Sequence, residues 1–229
     1  MRKVVGLTGL RGSGKDTAAA ILVANDWVRV AFADPLYREA AAAFSSTVEH
    51  FAIRKTKETP QKALALKHCS DQRFVLVVLK ALYCRSIRKA YLCEKTRARP
   101  GMARRLKKAL SRPLSPRMIM QWWGTEYRRH LDGDAYWREQ VESIIKGAPN
   151  LNFVVTDVRF PDEANLIKVL GGSIGRVTRP SLLGSDDPSL LHESERAMAA
   201  YPADHHFLNE DGDAGLAAFQ AAVKRALMG

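Results

Sequence analysis

The stretch GLRGSGKDT, residues 9–17, decides how the rest of this 229-residue chain is read. Gly9, Gly14 and Lys15 meet the pattern G-x-x-x-x-G-K, and Gly12 adds a further glycine. Glycines in such a loop let successive backbone N–H groups turn inward around phosphates. A following helix adds partial positive charge at its N-terminus, and the lysine reaches the β and γ oxygens. The flanks suit that chemistry: residues 3–8 read as an apolar strand before the loop, and residues 14–25 as a helix after it with Ala18, Ile21 and Leu22 on its buried side. Position 16 departs from the usual pattern. A hydroxyl normally ligates Mg2+ there; Asp16 has none, so it would hold the metal through water or act electrostatically on the helix N-terminus, while Thr17 still offers a hydroxyl. The loop is therefore read as binding ATP with Mg2+, with Asp16 and Thr17 as the metal-side candidates and other carboxylates and water completing the shell.

Outward from the loop, strands and helices alternate. Residues 27–33 (WVRVAFA) form a second strand candidate, and Asp34-Pro35 supplies a cap and a first helical position for LYREAAAAF. Residues 51–112 are helical, basic and broken at Pro60 and Pro100, and are read as an insertion between core segments 1–50 and 113–229, with a substrate-binding or lid-like role open to them. Ser115-Pro116 opens the helix RMIMQWWGTEYRR, and a further helix spans residues 134–146. The unbroken apolar run NFVVTDV, residues 152–158, suggests a strand buried on both faces, as in a parallel sheet. Pro161, Asp162 and Glu163 start the next helix and Gly171-Gly172 stops it; strands at 173–178 and 206–208 and a helix at 213–228 complete the pattern. The expectation is an α/β fold of P-loop kinase-like type, a parallel sheet of about five strands flanked by helices.

Composition narrows the context. Hydrophobic residues make up 46%, enough for a packed core. The three cysteines, Cys69, Cys84 and Cys93, show no CxxC spacing, which argues against a disulfide framework or a zinc site and for a reducing cytoplasm. No apolar run approaches the ~20 residues that span a bilayer, and the apolar N-terminal stretch is too short for a signal peptide. The net charge of +12 is concentrated: residues 80–112 hold twelve Lys or Arg against one acid, Glu94. Such a block is a solvated helical face or a surface that attracts nucleic acid or another polyanion.

A second constellation lies in TDVRFPDEA, where Asp157 and Arg159 end the buried strand. In an open parallel sheet, ligands gather at the carboxyl ends of the strands. A carboxylate there can organise Mg2+ or accept a hydrogen bond, and a guanidinium can fork onto a phosphate; a strand-end ion pair is the alternative. Glu163 lies one turn into the next helix and can face the same cleft. Trp137 offers a face for base stacking or a core filler, and of the adjacent Trp122 and Trp123 at most one would line a cleft. Arg179 and the loop 181–195 are candidates for a lid over ATP. His192, Glu193 and Glu195 lack a partner His at the i+4 position and read as capping or acceptor-side residues; His205-His206 begins a strand, and Asn209 stands where it could approach the adenine.

GLRGSGKDT, FADPL, RMIMQWWGTEYRR, DAYW, TDVRFPDEA and HESE, in this order, resemble the deoxynucleoside monophosphate kinases of bacteriophages, within the P-loop nucleoside-monophosphate-kinase superfamily. The resemblance covers residues 1–40 and 113–229 and implies transfer of a phosphate from ATP to a dNMP. It implies ATP contacts at Gly12, Ser13, Gly14, Lys15, Asp16 and Thr17, and GKDT is a normal form of the loop in that family. It implies acceptor contacts at Arg11, Arg117, Gly124, Trp137, Asp157, Arg159 and Glu163, where the family's motifs match. Arg128 or Arg129 is a further candidate for the acceptor phosphate and Asp34 for metal-bound water, with Lys15, Asp157 and Arg159 expected to carry catalysis. The chain departs from the family at FADPLYR, where Tyr37 stands in place of a lysine and Arg38 follows.

The expected function is ATP-dependent conversion of deoxynucleoside monophosphates to diphosphates for DNA precursor synthesis. Dephospho-coenzyme A kinase, or another small-molecule P-loop kinase, shares the loop and the strand-end Asp and stays open. So does a nucleic-acid-stimulated ATPase using the basic stretch, although no hydrophobic strand ending in DE and no helicase motif is present. Expected partners are the small-molecule dNMP and, through the basic segment, a second copy of the chain or nucleic acid; no membrane partner is expected.

Overall fold

A computed structural model describes residues 2–82, 100–183 and 197–229. The chain forms two compact units, one made of Met1–Ala33 and Arg138–Gly229, the other of Asp34–Trp137. The expected insertion boundaries near residues 50 and 113 both fall within the second unit.

The first unit is a five-stranded sheet in the order β2-β3-β1-β4-β5, with every pairing parallel. Its strands are β1 (Val4–Thr8), β2 (Trp27–Val30), β3 (Asn152–Val155), β4 (Ser173–Thr178) and β5 (His205–Leu208). Parallel neighbours require crossovers, and these place helices on both faces. All five residues of β1 are buried, as the centre of such a sheet demands. Alternate side chains supply two cores, since successive strand residues point to opposite faces. Val4, Phe153, Val155 and Ile174 meet Ile167 of α8 (Pro161–Val169) and Val141 and Ile145. Val5, Leu7, Val154 and Val177 meet Ala18 and Leu22 of α1 (Lys15–Val23) and Phe219 and Val223 of α9 (Gly212–Met228).

The second strand ends at Val30, three residues short of the expected Ala33. Phe32 and Ala33 point their N–H groups at a carboxylate instead, as described below. Asn152–Val155 likewise stops short of Val158, yet Thr156 and Val158 still donate to the Val30 and Leu7 carbonyls.

The second unit is helical: α2 (Asp34–Ala43), α3 (Val48–Ala52), α4 (Gln72–Leu82), α5 (Pro100–Leu110) and α6 (Pro116–Gln121), the last continuing through a π-helical stretch, Trp122–Arg129, into a closing turn, His130–Asp132. Ser115 caps α6 by accepting from the Met118 N–H at 3.3 Å, the role its position before Pro116 predicts. The core here is aromatic. Phe74 and Trp123 rings lie 4.5 Å apart, and Tyr127 stands edge-on to Trp123 at 5.2 Å. Helix α7 (Tyr136–Gly147) begins in this unit and continues into the first. Cys69 is a buried free thiol whose burial pushes its pKa up to about 12; Cys84 and Cys93 lie outside the described residues. No described helix is long and apolar enough to cross a membrane.

Candidate active site

Residues 9–14 leave the carboxyl end of β1 and return as the N-terminus of α1. Gly9, Gly12 and Gly14 all have positive φ, and Gly14, at φ 110°, is the N-cap of α1. Only glycine suits two of these places without strain: a Cβ on Gly9 would collide with the Val177 carbonyl and one on Gly14 with the Asn209 amide. The loop is braced internally by Ser13 N–H donating to the Leu10 carbonyl at 3.1 Å. Lys15 folds back over it, its Nζ donating to the Gly9 and Leu10 carbonyls at 2.6 and 2.8 Å.

Ser13 is 1% exposed, and its Oγ has no hydrogen-bond partner among the described residues. A buried hydroxyl without a partner costs about 1–3 kcal/mol. An anion lying in a glycine turn, beside a lysine and a helix N-terminus, is the kind of group that would satisfy it. Asp16 is exposed in the first turn of α1 and Thr17 half-buried. A carboxylate and a hydroxyl are oxygen donors of the type Mg2+ takes. The residues present thus fit both a polyphosphate and its metal. Arg11 is exposed at the tip of the same loop.

Asn209 belongs to this loop from behind. It is buried, its own N–H donates to the Thr178 carbonyl at 2.8 Å, and its Nδ2 donates to the Ser13 carbonyl at 2.8 Å. A cavity of about 210 Å³ opens beside the loop, lined among others by Thr8, Gly9, Ser13, Arg176 and Arg179. Arg176 ties down the chain at residues 198–201, donating to the carbonyls of Ala199, Met198 and Tyr201. Arg179 forks onto Asp211, and together with Ser181 it holds that carboxyl below the usual range. Most of the expected lid, including His192, Glu193 and Glu195, lies outside the described residues.

At the end of the neighbouring strand β3, Asp157 accepts from the Phe32 N–H at 2.7 Å and the Ala33 N–H at 3.0 Å. Arg159 is exposed, and Glu163, 7% exposed, accepts from the Arg159 and Phe160 N–H groups at 2.7 and 3.1 Å. The glutamate thereby caps α8 and fixes the backbone from which Arg159 projects. β1 and β3 being hydrogen-bonded neighbours, the loop and this triad share one edge of the sheet.

The remaining candidates lie in the second unit. Asp34 opens α2. The Arg117 N–H donates to the Lys57 carbonyl at 2.9 Å and its Nε to Glu58 at 2.8 Å. Trp137 is 6% exposed and donates its indole N–H to the Gly124 carbonyl at 3.2 Å, so its ring is part of the core of this unit. Arg128 donates to Glu39 at 2.7 Å and to Asp132 at 3.0 Å, between the rings of Tyr127 and Tyr136. Burial opposes its charge, but the Asp132 and Glu39 carboxylates outweigh that and raise its pKa. Trp123 is core as well, and Arg129 is exposed.

Sequence reasoning missed Glu39, Lys57 and Arg176. Glu39 also accepts from Trp123 Nε1 at 2.8 Å and from the Tyr136 hydroxyl. Lys57 donates to the Tyr37 hydroxyl at 2.6 Å and lies 5.2 Å from that ring, so a cation stands beside position 37 although the chain has no lysine there. No spacing or motif marks these three residues; the side-chain partners named for them are 20 to 97 positions away.

A parallel sheet ordered 2-3-1-4-5, with a glycine loop and lysine at its central strand, defines a protein of the P-loop kinase-like class. The deoxynucleoside-5'-monophosphate kinase of Escherichia phage T5 is 30% identical over 184 residues, 73% of this chain and 72% of that protein. A protein of Acanthamoeba polyphaga mimivirus, named "Putative deoxynucleotide monophosphate kinase", is 26% identical over 211 residues, 86% of this chain and 84% of its own. The chain belongs to the deoxynucleoside monophosphate kinase family. No protein-family model matches it. The crystal structure of TT1252 from Thermus thermophilus aligns over 100% of this chain and 99% of its own at 16% identity and a TM-score of 0.39.

Proposed function

We propose that this protein transfers the γ-phosphoryl group of ATP to a deoxynucleoside 5'-monophosphate, giving the diphosphate and ADP for DNA precursor synthesis. The observation that carries the reading is the loop at residues 9–17, where a buried Ser13 hydroxyl with no partner among the described residues sits in a turn of positive-φ glycines beside Lys15. Phosphoryl transfer offers a protein little covalent chemistry, so catalysis is positioning and charge stabilisation. Lys15 would exchange two loop carbonyls for the β and γ oxygens. Magnesium bound with the nucleotide supplies further neutralisation of those oxygens, and Asp16 and Thr17 would hold it. Arg159 would fork onto the acceptor phosphate from a backbone that Glu163 fixes. Asp157 acts through the chain, its two oxygens anchoring Phe32 and Ala33.

The test is ADP release by the purified protein with ATP and, in turn, the four dNMPs, the four NMPs, dephospho-coenzyme A and DNA. Turnover with dNMPs is expected. Turnover with dephospho-coenzyme A alone, or only in the presence of DNA, overturns the reading. Lys15→Ala should lower kcat by about two to three orders of magnitude, the scale for losing a charge-stabilising donor. Arg159→Ala should raise KM for the acceptor and leave KM for ATP unchanged.

A further inference from the structure

We propose that the exposed face of α5 docks duplex DNA through its phosphates. The helix is divided lengthwise. Met102, Leu106, Ala109 and Leu110 pack against the core of the second unit, whereas Arg104, Arg105, Lys107 and Lys108, with Arg112 just beyond the helix, are exposed. At about 100° per residue, the four helical cations span an arc of roughly 160° opposite the apolar side. No acid occurs between residues 100 and 112, and none of these cations pairs with a carboxylate among the described residues. The 3-10 turn Leu66–His68, which packs beside α5, adds an exposed Lys67 from a separate part of the chain.

The chemistry selects the partner. The apolar side of α5 is already buried, so nothing is left to insert into a bilayer, as an interfacial helix must. Residues 100–112 contain no aromatic, so the face has no platform on which single-stranded bases could stack. What remains is a row of cations suited to closely spaced phosphates, and duplex DNA carries one charge per ≈1.7 Å of axis. The major groove of B-form DNA admits a helix, whereas that of A-form RNA is too deep and narrow. Binding of this kind is independent of base sequence. It is also independent of the phosphoryl-transfer reading, since none of these residues belongs to that site.

Fluorescence anisotropy with two unrelated fluorescein-labelled DNA duplexes of about 20 base pairs tests it. Both should bind alike, with a log–log salt slope of about −4, so that affinity falls about a hundredfold or more between roughly 50 and 200 mM salt. The variant R104Q/R105Q/K107Q/K108Q keeps helix-forming residues and should bind at least about tenfold more weakly, with most of the slope gone. Its far-ultraviolet circular dichroism and melting temperature should match wild type, which certifies its fold whatever the enzyme's substrate. Should that variant not fold, R104Q/K108Q should lose about half the slope. No binding by the wild type at low salt, wild-type binding and slope in a folded variant, or binding to phosphatidylserine vesicles but not to DNA, each overturns the proposal.

Discussion

At the scale of the residue, Asn209 shows how the glycine loop is braced from behind. Its side-chain amide donates to the Ser13 carbonyl at 2.8 Å, and its own N–H ties it to the Thr178 carbonyl at the end of β4. Its position also explains Gly14, since any Cβ there would meet that amide. Losing one such hydrogen bond is worth about 1 kcal/mol, or about a fivefold change in binding. Asn209→Ala should therefore raise KM for ATP about fivefold and leave the acceptor KM alone. Asn209→Asp should be worse, because a carboxylate would oppose a carbonyl. Steady-state kinetics with both substrates varied checks this; an unchanged ATP KM with altered preference between ATP and GTP would instead place Asn209 at the base.

Among the elements, the π-helical stretch Trp122–Arg129 has a clear consequence. In an α-helix, residues i and i+5 lie about 140° apart. The i→i+5 hydrogen bonding of a π-helix brings them nearer to one column, and here Trp123 and Arg128 both donate to the same Glu39 oxygen, at 2.8 and 2.7 Å. Removing the acceptor strands an indole N–H and a tyrosine hydroxyl in partly buried places and leaves the Arg128 guanidinium its other carboxylate partner, Asp132. Glu39→Ala should therefore cost about 2–4 kcal/mol, read as a lower urea midpoint, whereas Glu39→Gln should recover part of it. A smaller device joins α8 to β4: Asp204 accepts from the Ile174 N–H and from Lys168. Burial would raise its pKa, but those two donors outweigh it and hold the carboxyl below its usual value. A depressed folded pKa gives stability that is present above the ordinary aspartate range and is lost as pH falls through the folded value. Asp204→Asn should thus be less stable than wild type near neutral pH, and in acid melts the difference should shrink as pH falls below the ordinary aspartate range and through the folded-state value.

For the whole molecule, ligand linkage supplies the test. A ligand that binds only the folded state at about 100 times its Kd adds about 2.7 kcal/mol. A non-hydrolysable ATP analogue should therefore raise the melting temperature by several degrees, about 2–4 °C per kcal/mol at this size. Hydrogen exchange should show the gain in β1 and α1, and Lys15→Ala should abolish both effects. An analogue that protects the second unit and spares β1 would place the nucleotide elsewhere.

The sheet, its parallel strands and the glycine loop were legible in the sequence because each is written in short-range terms: apolar runs, glycine spacing, a cap before a proline. Residues 173–178 were read as a strand with the bounds that Ser173–Thr178 has in the structure. Strand ends were less legible, since Phe32 and Ala33 are diverted by a carboxylate 125 and 124 positions away. The side-chain settings of Trp137, Arg128 and Asn209 follow the same logic. Whether an indole fills a core, a guanidinium stacks between two tyrosines or an amide braces a loop depends on partners brought near only by packing. Local pattern determined which elements form and where the glycine loop lies. Tertiary structure alone decided what each polar group faces, because a buried donor must find its acceptor wherever the fold delivers one.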